Sequence, residues 1–167
     1  MFRPHPTPDP GGEGQESVWE YPRPPVVDPS DEHVVVTFAG RVVADTRRAL
    51  RVLETSHPPS YYLPRADVDL SLLAVNPRRT MCEYKGVAGY LDVVVGDRRA
   101  DAVGWFYPDP TPAFTALADH VTFYPGRMER CTVDGEVVGG SAGDFYGGWI
   151  TSRVVGPFKG EPGTGFW

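Results

Sequence analysis

His33-Val34-Val35-Val36-Thr37-Phe38-Ala39-Gly40-Arg41-Val42-Val43-Ala44-Asp45-Thr46 is the stretch that decides the fold class of this chain. Two β-branched runs meet at Ala39-Gly40, and the pair reads as an antiparallel hairpin. Leu91-Asp92-Val93-Val94-Val95-Gly96-Asp97-Arg98-Arg99-Ala100-Asp101-Ala102 reads as a second one. Their turns align: Gly40-Arg41-Val42-Val43-Ala44-Asp45 against Gly96-Asp97-Arg98-Arg99-Ala100-Asp101. Downstream, Ala66-Asp67-Val68-Asp69-Leu70 matches Ala118-Asp119-His120-Val121-Thr122-Phe123 with one residue inserted. A proline–arginine turn and a cysteine follow in each case, Pro77-Arg78-Arg79 before Cys82 and Pro125-Gly126-Arg127 before Cys131. These matches imply an internal duplication over residues 33–81 and 90–130.

The other segments are short. Arg47 to Leu53 leans to a strand, Val68-Asp69-Leu70-Ser71-Leu72 alternates as a strand should, and Cys131 to Val138 forms a third hairpin. Pro112 to Asp119 is the best helical candidate and spans one or two turns. Gly 19 and Pro 18 together exceed a fifth of the 167 residues, which keeps regular elements short. The expected fold is all-β: a compact barrel or tent-like sandwich of two similar antiparallel halves with few, short helices. That domain spans residues 18–138. Residues 1–17 read as a disordered leader. Residues 139–167, rich in Gly yet carrying Phe145, Tyr146, Trp149, Ile150, Phe158, Phe166 and Trp167, read as an arm packed on the domain or on a partner.

A net charge of −6 argues against a nucleic-acid backbone or an anionic membrane as partner. The clusters Arg47, Arg48, Arg51 and Arg78, Arg79 read as solvated surface charge. No apolar run reaches the roughly 20 residues that span a bilayer. The first residues lack the apolar core of a signal peptide, so the expected location is the cytoplasm, with thiols reduced.

Chemistry concentrates in two stretches, Glu54-Thr55-Ser56-His57-Pro58-Pro59-Ser60-Tyr61-Tyr62-Leu63-Pro64 and Cys82-Glu83-Tyr84-Lys85-Gly86-Val87-Ala88-Gly89-Tyr90. His57, in a rigid proline corner, suits a general base, a proton donor or a ligand anchor, or else fixes the turn by bonding a loop carbonyl. Glu54 suits orienting His57. Cys82, three residues before Lys85, is a candidate nucleophile whose thiol an ammonium would activate, or a packed core thiol like Cys131. Lys85-Gly86 offers an amine beside an open backbone, which suits a phosphate, carboxylate or sulfate. Tyr61 and Tyr62 point to opposite faces of an extended run, so one of them faces a cleft or solvent. Trp105, Tyr107 and Tyr124 form an aromatic reserve beside them. His57, Cys82, His120 and Glu54 lack the short paired spacings of zinc ligands, so neither a metal nor another cofactor is expected.

Several motifs carry a family resemblance. Val18-Trp19-Glu20-Tyr21-Pro22-Arg23-Pro24-Pro25, Leu53-Glu54-Thr55-Ser56-His57-Pro58-Pro59, Tyr61-Tyr62-Leu63-Pro64, Cys82-Glu83-Tyr84-Lys85-Gly86, Trp105-Phe106-Tyr107-Pro108-Asp109-Pro110 and Val121-Thr122-Phe123-Tyr124-Pro125 resemble domain of unknown function 427. The tail from Gly139, with Gly156-Pro157-Phe158-Lys159-Gly160, resembles the extension of actinobacterial members. The resemblance implies a small, β-rich bacterial protein without a settled activity. A nucleotidyltransferase label sometimes attached to the family needs a glycine turn feeding a helix and then paired carboxylates on magnesium. Here Gly139-Gly140-Ser141 is followed only by Asp144.

The expected function is binding of a small polar or anionic molecule in a cleft. Glu54, Thr55, His57, Tyr61, Tyr62, Cys82, Tyr84, Lys85, Gly86 and Tyr90 would supply it, with acid–base chemistry assigned to His57 and Glu54. The competing expectation is a non-catalytic assembly module, such as a homodimer, whose aromatic arm docks on a partner.

Overall fold

The computed structural model describes residues 6–140, 147–160, 164 and 167. In chain order the strands are β1 (Glu16–Ser17), β2 (Val26–Pro29), β3 (Val34–Phe38), β4 (Arg41–Thr46), β5 (Leu50–Leu53), β6 (Ser60–Pro64), β7 (Leu73–Cys82) and β8 (Gly86–Val95). They continue with β9 (Arg98–Phe106), β10 (His120–Phe123), β11 (Arg130–Val133), β12 (Glu136–Val137), β13 (Gly139–Gly140), β14 (Trp149–Ile150) and β15 (Val154–Val155). The helical segments among the described residues are all short 3-10 turns, including Pro112–Leu117. None is long and apolar enough to cross a membrane.

Two antiparallel sheets carry the fold, one of order β2-β5-β6-β10-β9-β8-β7 and one of order β12-β11-β3-β4. The large sheet ends at β2 and β7, so the fold is a sandwich and not a closed barrel. The main core lies between the sheets: Val34, Val36 and Val43 from the small sheet face Leu63, Val93 and Phe123 from the large one. Each is at most 1 % exposed, which licenses about 1.5–3 kcal/mol of apolar burial per side chain. A second cluster, with Tyr62, Tyr90, Trp105, Tyr107, Phe114 and Leu117, covers the other face of the large sheet.

Both hairpins are present, β3–β4 across Ala39-Gly40 and β8–β9 across Gly96-Asp97. Strand β7 pairs with β8, and β11, in the third hairpin, pairs with β3. Val68 bridges to Ala44 of β4, as β10 pairs with β9.

Two local expectations are corrected. Val68–Leu72 is not a strand: 3-10 turns occupy Arg65–Asp67 and Leu70–Leu72. Asp69 accepts a bond from Ser71 N at 3.1 Å, offering the backbone a turn in place of a ladder. Pro77-Arg78-Arg79 does not end a strand. It is a bulge within β7, where the register steps from Asn76–Tyr90 to Arg79–Gly89. Proline is tolerated there because β7 is an edge strand with no ladder on its outer side among the described residues.

Arg51 also departs from the expected solvated charge, at 2 % exposed. On β5 it lies between Glu16, at 3.0 Å, and Asp28, at 2.8 Å. Glu16 takes a further ion pair from Arg153 of the arm at 2.9 Å, and Arg153 reaches Glu32 at 2.8 Å. Within the segment read as a leader, β1 pairs in parallel with β15 and Asp9 N donates to Gly156 O at 2.7 Å. Described residues of the arm pack on residues 18–138 of the same chain. Trp149 is fully buried, stacks on Tyr61 at 5.1 Å and donates from Nε1 to Phe123 O at 3.1 Å. Phe145, Tyr146 and Phe166 lie outside the described residues.

Candidate functional site

The site forms because the large sheet curls. Laid flat, β5 and β7 would stand five strand spacings apart, about 24 Å. Yet Val52 of β5, Ser60 of β6 and Cys82 of β7 line one cavity of about 290 Å³. The face bearing the second aromatic cluster is therefore concave, and the cavity opens within it.

The β5–β6 corner supplies one wall. Its Pro58-Pro59 pair is buried, and Ser56 takes a left-handed φ of +72°. Neighbouring chain segments pin that backbone: Ser56 N donates to Val18 O at 3.0 Å, and Lys159 N donates to Ser56 O at 2.7 Å. His57 is largely buried, with Nδ1 2.8 Å from the Thr55 carbonyl and 3.8 Å from Glu54 Oε2. A carbonyl only accepts, so Nδ1 carries the proton and the neutral ring keeps its lone pair on Nε2. Burial pulls the imidazole below its usual pKa, with Lys159 and Arg23 acting the same way and Glu54 and the Thr55 carbonyl opposing. His57 is thus neutral at pH 7. One ring nitrogen thus fixes the turn, and the ring lines the cavity.

The β7–β8 turn supplies the opposite wall. Cys82 and Gly86 pair across it, and Gly86 adopts φ +109°, a conformation that favours glycine. Thr111 anchors the turn from outside, its N bonding Lys85 O at 3.1 Å and its hydroxyl bonding Tyr84 O at 2.5 Å. Lys85 is thereby aimed inward: Nζ donates to Cys82 Sγ at 3.4 Å and stands 5.9 Å from the ring centroids of both Tyr107 and Phe114. Among the described residues no carboxylate lies within ion-pair distance of Lys85. A second ammonium, Lys159 of the arm, lines the same cavity. Its pKa is lowered by burial and by Arg23, against Glu54.

Ser60, Cys82 and Lys85 also line an adjoining cavity of about 300 Å³, so the two lobes are continuous. Aromatic side chains wall this second lobe: Tyr62, Tyr90, Trp105, Tyr107 and Tyr124. Trp105 lies 4.5 Å from Tyr124 and is edge-on to Tyr62 at 6.5 Å. Burial raises the Tyr62 and Tyr107 hydroxyls well above the usual phenol range and holds Tyr124 at about 12, so all three are neutral donors at pH 7. The arm approaches the rim closely. A Cβ at Gly147 would stand 2.1 Å from the Trp105 ring, and one at Gly148 2.2 Å from Pro58 Cγ.

Of the residues the sequence pointed to, Glu54, His57, Tyr62, Cys82, Tyr84, Lys85 and Tyr90 converge on these two lobes. Three do not. Tyr61 points into the main core at 1 % exposure and donates to Glu32 Oε1 at 2.9 Å, as strand alternation requires. Thr55 spends its hydroxyl on Tyr21 O, tying the corner to the N-terminal segment. Gly86 shapes the turn under the Asp109 carbonyl without lining the cavity. Pro58 and Ser60 of the first stretch and Glu83 of the second also line the walls, whereas Val52, Met81 and Lys159 lie outside both stretches and were not pointed to. Cys131 sits in the main core, where burial pushes its thiol up to about 12.

Gly139-Gly140 forms β13 against β14, while Ser141 and Asp144 lie outside the described residues. Among the described residues no group of three His, Cys, Asp or Glu side chains could hold a metal ion. No curated protein matches this chain. The family described as Domain of unknown function (DUF427) matches it over residues 26–134, and the chain belongs to that family.

Proposed function

We propose that this protein binds a small polar molecule with an anionic group in the cleft between the β5–β6 corner and the β7–β8 turn. The observation that carries the reading is Lys85, held inward by its turn without a carboxylate partner among the described residues, in a cavity that also receives Lys159. An acidic group on the ligand would complete that electrostatic arrangement. His57, neutral and hydrogen-bonded at Nδ1, is the general base of this site if the bound molecule reacts, with Glu54 steadying the ring from 3.8 Å. Cys82 serves as a wall and as the acceptor that fixes the Lys85 ammonium. The location expected for such a protein is the cytoplasm, where Cys82 stays a thiol.

The matched hairpins β3–β4 and β8–β9 support reading the two halves as repeats. Only one of them kept the polar turn residues, so the site is single. The assembly-module alternative draws less support, because the arm's Trp149, Thr151 and Val154 are buried against their own chain.

A thermal-shift series with small carboxylates and phosphates tests the proposal. A ligand at a hundred times its Kd adds about 2.7 kcal/mol, or a rise of roughly 5–10 °C for a chain of this size. The rise should vanish in Lys85→Met. A panel that moves the wild type no more than it moves Lys85→Met would sink the reading.

A further inference from the structure

The anion reading leaves the second lobe unexplained. Lys85 stands at the junction, and beyond it lies a cavity of about 300 Å³ whose walls are mostly aromatic. We infer that the ligand is a small aromatic acid, its ring held in the lobe of Tyr62, Trp105 and Tyr124 and its acidic group beside Lys85. This inference rests on the anion-binding reading of the same cleft.

Three observations carry it. First, the lobe is walled by flat faces and protonated phenols, which suit a planar ring bearing oxygen acceptors. Second, one cation, Lys85, already lines the lobe, and another, the exposed Arg78, covers a ring of its wall. The Arg78 guanidinium lies 4.7 Å over the Tyr90 ring, and Lys85 lies 5.9 Å from that of Tyr107. A cationic ligand would meet like charge there; an anionic one would not. Third, the lobes are small. Each is at the lower end of ligand-pocket volumes, about 300 Å³, room for one ring and one acid group and far short of a dinucleotide.

Calorimetric titration of the full chain with four probes provides the test: 4-hydroxybenzoate, acetate, phenol and benzylamine. The inference expects 4-hydroxybenzoate to bind at least tenfold tighter than acetate or phenol, and benzylamine to bind weakest. Lys85→Met and Tyr124→Leu, each checked for native circular dichroism, should each weaken 4-hydroxybenzoate at least fivefold. Comparison among the four probes on the wild type needs no variant, so a variant that misfolds leaves the result readable. If acetate binds as tightly as 4-hydroxybenzoate and both need Lys85, the ring assignment is overturned while the anion site stands. Should neither acid bind at millimolar concentration, both fall. Benzylamine binding tighter than 4-hydroxybenzoate would overturn the charge argument and with it the proposed ligand class.

Discussion

Replacing Glu16 by Gln probes the network that fastens both ends of the chain to the domain bearing the site. Burial by itself would raise the Glu16 carboxyl, but hydrogen bonds from Arg51 and Tyr21, together with the charges of Arg51 and Arg153, hold it at about 2 instead of 4.5. That difference is worth about 3 kcal/mol at neutral pH, which the 31 % exposure of the side chain reduces to about 2 kcal/mol. The variant also leaves Arg51, 2 % exposed and with Nε unbonded among the described residues, facing Asp28 alone. Removing one partner of a buried pair costs about 3–5 kcal/mol, and Asp28 offsets part of that here. A net loss of about 2–3 kcal/mol lowers Tm by roughly 4–12 °C for a chain of this size. The pH dependence has a definite sign. A depressed carboxyl contributes stability that is present above its unfolded value of 4.5 and lost as pH falls toward 2. The gap between wild type and Glu16→Gln should therefore be full at pH 7 and shrink below about pH 4.5. Differential scanning calorimetry across pH 2.5–7 reads both quantities. Equal Tm values at pH 7, or a gap that stays constant down to pH 2.5, would refute the assignment of this stability to the ionised carboxylate.

Further measurements bear on the site itself. His57 has a folded pKa below 6.5, so the folded protein binds fewer protons than the unfolded chain and loses stability as pH falls through about 6.5. The slope of Tm between pH 7.5 and 5.5 should flatten in His57→Asn, and an unchanged slope would count against a neutral, buried ring. Gly148→Ala places a Cβ 2.2 Å from Pro58 Cγ and should cost about 1–3 kcal/mol by urea unfolding; a cost under about 0.5 kcal/mol would mean that the arm is not seated on the corner. Thiol labelling of the native protein should modify the half-buried Cys82 and spare Cys131, which is 1 % exposed with its thiol pushed up to about 12. Equal labelling of both under native conditions, read by peptide mass, would contradict their placement.

What was legible in the sequence follows from how local each determinant is. The hairpins at Ala39-Gly40 and Gly96-Asp97 depend on alternation and turn residues a few positions apart, and both are found. Tyr61 and Tyr62 divide between core and cleft for the same reason. Val68–Leu72 shows where pattern alone fails: the apolar alternation suits a strand, but Asp69 captures Ser71 N and turns the backbone. Arg51 could not be separated from its exposed neighbours, because the partners that permit its burial, Glu16 and Asp28, lie 35 and 23 residues away. Lys159 was hidden for a similar reason. It enters the cleft from the arm, where the bond from its N to Ser56 O joins it to a corner 103 residues earlier in the chain.

The same logic bears on how the site is protected from the sheet that builds it. Strand β7 runs ten residues along an open edge, with Val75 and Met81 72 % and 73 % exposed. Such an edge is a template for another strand, and pairing there would lie directly against the Cys82 end of the cleft. The bulge at Asn76–Arg79 interrupts the template. Pro77 has no N–H to offer, and Arg79 Nη1 donates to the carbonyls of Asn76 at 3.0 Å and Arg78 at 2.7 Å. Two carbonyls of the edge are thus occupied by the chain's own guanidinium. The segment that looked in sequence like a plain turn before a cysteine therefore has a second consequence. It keeps the β7 edge from serving as a ladder while the strand's inner side, through Thr80 and Cys82, remains committed to Tyr90 and Lys85.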